Sequence, residues 1–176
     1  MRTRVGLAAF IAFLACIPLA NWMIGHIGTV CVPDGPCLVP VAPGLMAPSG
    51  VLTVGAALVL RDVVQRCLGL TAGLVAVAIG TALSALVAPG ALVLASGTAF
   101  ALSELADFAV YTPLQRKRLT LAVVASSVVG LVVDSAVFLT LAFGSLEFLP
   151  GQIVGKLWAV LIAMPLLRLL RRVAPA

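Results

Sequence analysis

Residues 91–111 read ALVLASGTAFALSELADFAVY, an apolar run long enough to cross a bilayer as a helix, although it contains two acidic residues. Glu104, Asp107 and Tyr111 are spaced i, i+3 and i+7, so their side chains share one face of that helix. An ionised group at mid-bilayer costs roughly 3 kcal/mol, so this face is expected to point into a bundle and not at lipid. The stretch therefore predicts a polytopic membrane protein with a polar interior.

The rest of the chain repeats this pattern of long apolar runs. Of the 176 residues, 10% are charged and 62% are apolar, and the mean hydropathy is +1.24, which excludes an ordinary soluble domain. The runs lack apolar–polar alternation, which argues against a barrel. They predict one all-α transmembrane domain, 1–176, with six helices at approximately 5–24, 49–66, 69–88, 91–111, 119–143 and 151–167.

The basic residues predict the orientation of these helices. The connections 25–48, 88–91 and 144–150 contain no Lys or Arg. Because Lys and Arg concentrate in cytoplasmic connections, both termini are predicted to be cytoplasmic, in a plasma (cell inner) membrane. The pI near 9.6 comes from short clusters without an extended basic face, so no nucleic-acid partner is expected. The residues assigned to the cytoplasmic side are Arg2, Arg4, Arg61, Arg66, Arg116, Lys117, Arg118, Arg168, Arg171 and Arg172.

The long outer connection, residues 25–48, is expected to be an irregular, proline-rich loop over the membrane surface. Cys31 and Cys37 would face an oxidising compartment there, and the Pro/Gly turn between them could bring their Cα atoms within disulfide range. The sequence leaves two alternatives for these cysteines, a disulfide and two free thiols. With His26 these cysteines lack a suitably spaced fourth ligand, so no metal site and no cofactor are predicted.

Helices one, five and six add polar residues to the interior. Gln152 and Lys156 lie one turn apart, and Asp134 lies on the small-residue face of helix five. At 1.5 Å per residue from the inner ends, Glu104 and Lys156 are each about 18 Å deep and Asp134 is about 24 Å deep, so Glu104 and Lys156 are candidates to pair. The predicted binding site comprises Asn21, Glu104, Asp107, Tyr111, Asp134, Gln152 and Lys156.

The charges of this interior do not balance. Three acids against one lysine favour bound protons, a bound cation or a cationic substrate. A buried ion network that only fixes helix packing is the structural alternative. Near the inner end of helix two, Asp62 follows Arg61 and has the i, i+4 spacing to Arg66 that favours an ion pair. A local surface ion pair and a gating role both stay open for these residues.

At these residues the sequence resembles the vitamin uptake transporters now regarded as queuosine-precursor transporters, a family of small six-helix inner-membrane proteins. The resemblance implies uptake of 7-cyano-7-deazaguanine or 7-aminomethyl-7-deazaguanine, whose guanine-like edge suits carboxylate acceptors. Many members carry Asn-Asp where this chain has Arg61-Asp62. The matching elements are Ala20-Asn21, Pro48-Ser49-Gly50, Arg61-Asp62 with Gly69, Ser103-Glu104 with Asp107, Ser126-Ser127 through Asp134-Ser135 and Phe138, and Gly155-Lys156 with Pro165.

Several functions remain to be separated. The leading prediction is a secondary transporter whose partners are a small planar base and the lipid bilayer. The alternative is the substrate-binding subunit of an ATPase-energised vitamin transporter, and a homodimer or an energising module stays open as a partner. An intramembrane enzyme would use Glu104 and Asp107 as an acid pair, but the chain has no nucleophile motif, so no enzyme is predicted. A structural membrane protein is the remaining hypothesis.

Overall fold

The computed structural model describes residues 2–33, 35–88 and 92–173, with side chains up to residue 162. Within these residues the chain forms six helices, which confirms the predicted all-α bundle. The basic residues 168, 171 and 172 and the proline at 165 lie beyond the described side chains. The helices are α1 (Arg2–His26), α2 (Val51–Leu68), α3 (Leu70–Val87), α4 (Val93–Leu114), α5 (Leu119–Phe143) and α6 (Leu149–Val173).

Four helices extend past their predicted bounds. α1 starts at Arg2, α2 ends at Leu68, α4 ends at Leu114, and α6 runs from Leu149 to Val173 instead of 151–167. The prediction followed apolar runs, whereas backbone hydrogen bonding continues through the polar residues at the bilayer interface. α5 has the predicted bounds.

The prediction of an irregular outer loop was wrong, because residues 30–48 form a three-stranded antiparallel sheet. Its strands are β1 (Val30–Cys31), β2 (Cys37–Ala42) and β3 (Leu45–Pro48), and Gly44 turns β2 into β3 with a φ of 73°. Pro40 is tolerated because β1 pairs only with the start of β2, which leaves the amide side of Pro40 at an edge. Proline density alone therefore misled the prediction.

α2 is the central helix of the bundle and contacts all five other helices. By length, mean hydropathy and number of charged residues, α1, α3, α4 and α5 are able to cross a membrane. α2 is not among them because it carries three charged residues, Arg61, Asp62 and Arg66, and all three are buried. The surrounding helices take the place of lipid around α2, which allows it to retain these charges.

Glycines bring the neighbouring elements close to α6. A Cβ atom added at Gly55 would lie 2.7 Å from the carbonyl oxygen of Lys156, so α2 packs directly on the α6 backbone at the level of this lysine. A Cβ atom added at Gly151 would overlap the carbonyl oxygen of Met46 in β3. Both α2 and the sheet therefore pack in close backbone contact with α6.

We expect Gly151→Ala to destabilise the protein by about 1–3 kcal/mol, because the backbone of β3 would have to move away from α6. Gly25→Ala is the matched control, since nothing lies within 4 Å of a Cβ atom at that helical position. Thermal unfolding of both variants in detergent measures the difference. Equal stability of the two variants would contradict the close contact between the sheet and α6.

Candidate functional site

Lys156 is at the centre of a buried hydrogen-bond group near the outer end of the bundle, the end that carries the sheet. It is 1% exposed. Its Nζ donates to Asp134 Oδ2 at 2.5 Å, Ser135 Oγ at 2.7 Å and Gln152 Oε1 at 2.8 Å. All three donors of the ammonium group are therefore satisfied, and its charge is met by one carboxylate.

Lys156 pairs with Asp134 and not with Glu104, so the pairing inferred from helical rise was wrong. The rise placed Asp134 about one turn above Lys156. Counting Cα positions ignores the reach of a lysine side chain, which can extend along a helix by about that distance. It also ignores that α6 packs beside α5, which carries Asp134.

Arg61 is the centre of a second buried group. Its Nε donates to Glu104 Oε2 at 3.0 Å, and its Nη1 lies 3.0 Å from both Asp62 Oδ1 and Gln65 Oε1. Nη2 contacts Asp107 Oδ1. Arg61, Asp62 and Asp107 are 0% exposed and Glu104 is 1% exposed. We refer to Arg61, Asp62, Glu104 and Asp107 as the Arg61 cluster.

Two aromatic rings enclose the guanidinium of Arg61. Its Cζ lies 5.4 Å from the ring centre of Phe108 and 5.6 Å from that of Tyr111, both within cation–π range. Tyr111 also donates from its hydroxyl to the backbone oxygen of Asp62 at 3.3 Å. The rings exclude water from the cluster and tie α4 to α2.

The structure thus corrects the hypothesis that Asp62 forms a local surface ion pair with Arg66, because Asp62 is fully buried and contacts Arg61. The orientation argument treated every arginine as an anchor at a helix end, but Arg61 lies seven residues before the end of α2, about 10 Å along its axis. The sequence did contain a signal that Arg61 faces the interior, because Arg61 and Gln65 share one face of α2. Arg66 does lie near the inner end, where its Nη1 donates to Gln115 O at 3.2 Å.

A cavity lies between the outer halves of the six helices. Its empty volume, which includes its opening to solvent, is about 690 Å³. Phe100 and Phe138 contribute aromatic faces to an otherwise largely aliphatic wall. The polar side chains in the wall are Asn21, Ser84, Ser96, Ser103, Glu104, Asp134, Gln152 and Lys156.

The structure divides the predicted binding residues between the cavity and the Arg61 cluster. Asn21, Glu104, Asp134, Gln152 and Lys156 line the cavity. In the part of the chain that the structure describes, the lining includes neither of the other two predicted residues, the aspartate at 107 and the tyrosine at 111. Glu104 belongs to both groups, because it lines the cavity and also accepts from the buried guanidinium of the cluster.

The sheet lies at the outer end of the bundle, where Pro48 at the end of β3 lines the cavity. Cys31 and Cys37 are joined by a disulfide, which is one of the two alternatives that the sequence left open. Trp158 Nε1 on α6 donates to Val41 O at 3.0 Å and fixes the sheet to the bundle. His26 stacks on the ring of Trp22, and within the described residues no group of side chains is suited to holding a metal ion.

These features define a class: a multi-pass membrane protein with an interior cavity that is walled by polar and ionised side chains. Residues 88–170 match the model of the family described as "putative vitamin uptake transporter", slightly less than half of the chain. The family resemblance that the motifs predicted is confirmed over those residues, which include α4 and α5. The motifs before residue 88, Asn21 and Arg61-Asp62 among them, lie outside the match. No curated protein and no solved structure matches the chain.

Proposed function

We propose that this protein is a transporter of the cell inner membrane that imports 7-cyano-7-deazaguanine or 7-aminomethyl-7-deazaguanine by alternating access around the cavity. The observation that carries the proposal is the cavity itself. Its wall combines the Asp134–Lys156 ion pair and Glu104 with the aromatic faces of Phe100 and Phe138. The family match to uptake transporters over residues 88–170 supports the same class of function.

The polar wall offers complementary groups to a guanine-type edge. That edge presents a ring N–H and an exocyclic amine, which a carboxylate accepts as two parallel hydrogen bonds. Asp134 is the more accessible carboxylate, with 12% of its side chain exposed against 2% for Glu104. Its Oδ1 has only a long contact, 3.5 Å, from Ser103 Oγ. Asp134 is therefore the acceptor that we assign to the base.

The remaining groups of the wall suit the other parts of such a base. Lys156 and Gln152 can donate to a ring carbonyl beside Asp134. A flat ring fits between apolar and aromatic surfaces, as Phe100 and Phe138 provide. An aminomethyl cation would offset part of the negative charge of the acidic residues.

We assign the described conformation to a state that is closed toward the inner side. Every cavity-lining residue of α2 lies between Val51 and Leu58, and the Arg61 cluster begins one turn further inward. The ion pairs of Arg61 with Glu104 and Asp107 join α2 to α4 at this level. Import then requires these contacts to break or shift so that the base can leave inward.

The test is uptake of radiolabelled 7-cyano-7-deazaguanine by cells that lack their own transporter. Asp134→Asn is expected to lower initial uptake at least about tenfold, because an amide presents a donor to the donor edge and loses a charge-assisted bond. Glu147→Gln, which removes an exposed acid, is the control and should transport normally.

Two further outcomes bear on this proposal. Normal uptake by Asp134→Asn would remove the assigned acceptor. If the wild type neither transports the two bases nor is stabilised by them in thermal unfolding, the substrate is wrong, because a ligand that binds the folded state must raise its apparent stability. Uptake by the purified chain alone in proteoliposomes would exclude a required ATPase module.

A further inference from the structure

The Arg61 cluster contains more negative than positive charge. Three carboxyl groups, those of Asp62, Glu104 and Asp107, contact one guanidinium. The Asp134–Lys156 pair is neutral in itself and supplies no spare cation. Full ionisation would thus leave two uncompensated negative charges on side chains that are at most 2% exposed. Uncompensated charges in such surroundings are strongly destabilising, so full ionisation is disfavoured.

The hydrogen bonds of the cluster point to one of the three acids. Asp62 Oδ2 accepts from Ser126 Oγ at 3.3 Å, and Glu104 Oε2 accepts from Arg61 Nε. Asp107 Oδ2 is buried and has no hydrogen-bond partner among the described residues. It lies against Gly130 of α5, where an added Cβ atom would be only 3.2 Å away. An ionised Asp107 would therefore be the least stabilised of the three carboxylates.

The surroundings leave no room for a larger cation. Asp62 and Asp107 are 0% exposed and, in the described part of the chain, do not line the cavity, so a hydrated metal ion has no space beside them. A proton requires no such space. It would convert Asp107, whose Oδ2 has no hydrogen-bond partner among the described residues, into a neutral acid.

We propose that the Arg61 cluster is a proton-binding site, with the proton on Asp107, and that it exchanges this proton with the cavity through Glu104. Glu104 is the member that reaches both the cavity and Arg61, so it provides the connection to water. The charged and titratable groups around the site are Arg61, Asp62 and Arg66 on α2, Glu104 and Tyr111 on α4, Asp134 on α5 and Lys156 on α6.

Proton release has a structural consequence. It leaves the cluster with two buried uncompensated charges, which are stabilised only if water enters between α2 and α4. Water entry at this level weakens the contacts that close the inner side. Proton movement is thereby coupled to inward opening, a part of the inference that rests on the proposed transport function.

The site itself can be tested without any ligand by infrared spectroscopy of the purified protein in lipid nanodiscs at neutral pH. A protonated, dry carboxyl group gives a C=O stretching band that ionised carboxylates lack. We expect this band in the wild type and in Glu147→Gln, and its loss in Asp107→Asn, which removes the carboxyl but preserves the shape of the side chain. Absence of the band from the wild type, or its persistence in Asp107→Asn, would overturn the proposal.

The coupling can be tested in proteoliposomes with 7-cyano-7-deazaguanine. An imposed pH gradient of one unit should raise accumulation by the wild type up to about tenfold for each proton moved, and a protonophore should abolish the increase. Accumulation by Asp107→Asn should be equal with and without the gradient. Accumulation that depends on a sodium gradient, or on neither a sodium gradient nor a pH gradient, would overturn the coupling of transport to proton movement. If no condition gives uptake while the infrared result holds, the transport function fails and the proton site stands.

Discussion

Arg61→Met is expected to lower the free energy of unfolding by about 3–5 kcal/mol, because it leaves Asp62, Glu104 and Asp107 buried without their shared cation. Methionine preserves most of the side-chain length, so the loss of charge and hydrogen bonds dominates over the loss of volume. Folded stability is only a small difference between large opposing contributions, and a loss of this size endangers the yield of folded protein. Thermal or denaturant unfolding in detergent micelles gives the measurement.

Two further variants make this result interpretable. Arg116→Met removes an exposed arginine between α4 and α5 and should unfold like the wild type. The double variant Arg61→Met/Glu104→Gln should recover part of the lost stability, since it removes one of the unpaired carboxylates. If Arg61→Met were as stable as Arg116→Met, Arg61 could not be a buried partner of these acids.

Lys156→Met has the second largest expected effect, and it separates binding from packing. The substitution leaves Asp134 without a counter-charge and removes the donor to Gln152, so we expect a loss of about 3–5 kcal/mol in stability. Stabilisation by 7-cyano-7-deazaguanine should disappear as well, because the cavity wall loses its cation. Unfolding with and without the base measures both effects.

The double variant Lys156→Met/Asp134→Asn decides between the two roles of this ion pair. Both charges are then absent, so stability should return toward that of the wild type, whereas ligand-dependent stabilisation should stay absent. Lys117→Met, at an exposed lysine, is the matched control. Recovery of both stability and ligand response would mean that the pair only fixes helix packing, the structural alternative that the sequence left open.

The predicted binding residues show what residue spacing within one helix can and cannot indicate. The spacing of Glu104 and Asp107 on α4 correctly indicated a face that points into the bundle, because helical periodicity is a local property. It could not indicate that the two side chains end in different places. Glu104 reaches the cavity, whereas Asp107, one turn further inward, contacts Arg61. That difference depends on which helix lies opposite.

The sequence by itself determined the six-helix membrane architecture and the presence of ionised residues in its interior, since hydropathy over about 20 residues and the cost of charge in lipid act segment by segment. Only the tertiary structure decided that α2 is the central helix, that Arg61 contacts three carboxylates and that Lys156 pairs with Asp134. Ion pairing depends on distances of a few ångströms between helices that are far apart in the chain, and no spacing within one helix encodes them. The sheet between α1 and α2 was decided in the same way, because it depends on strand pairing and on contact with α6.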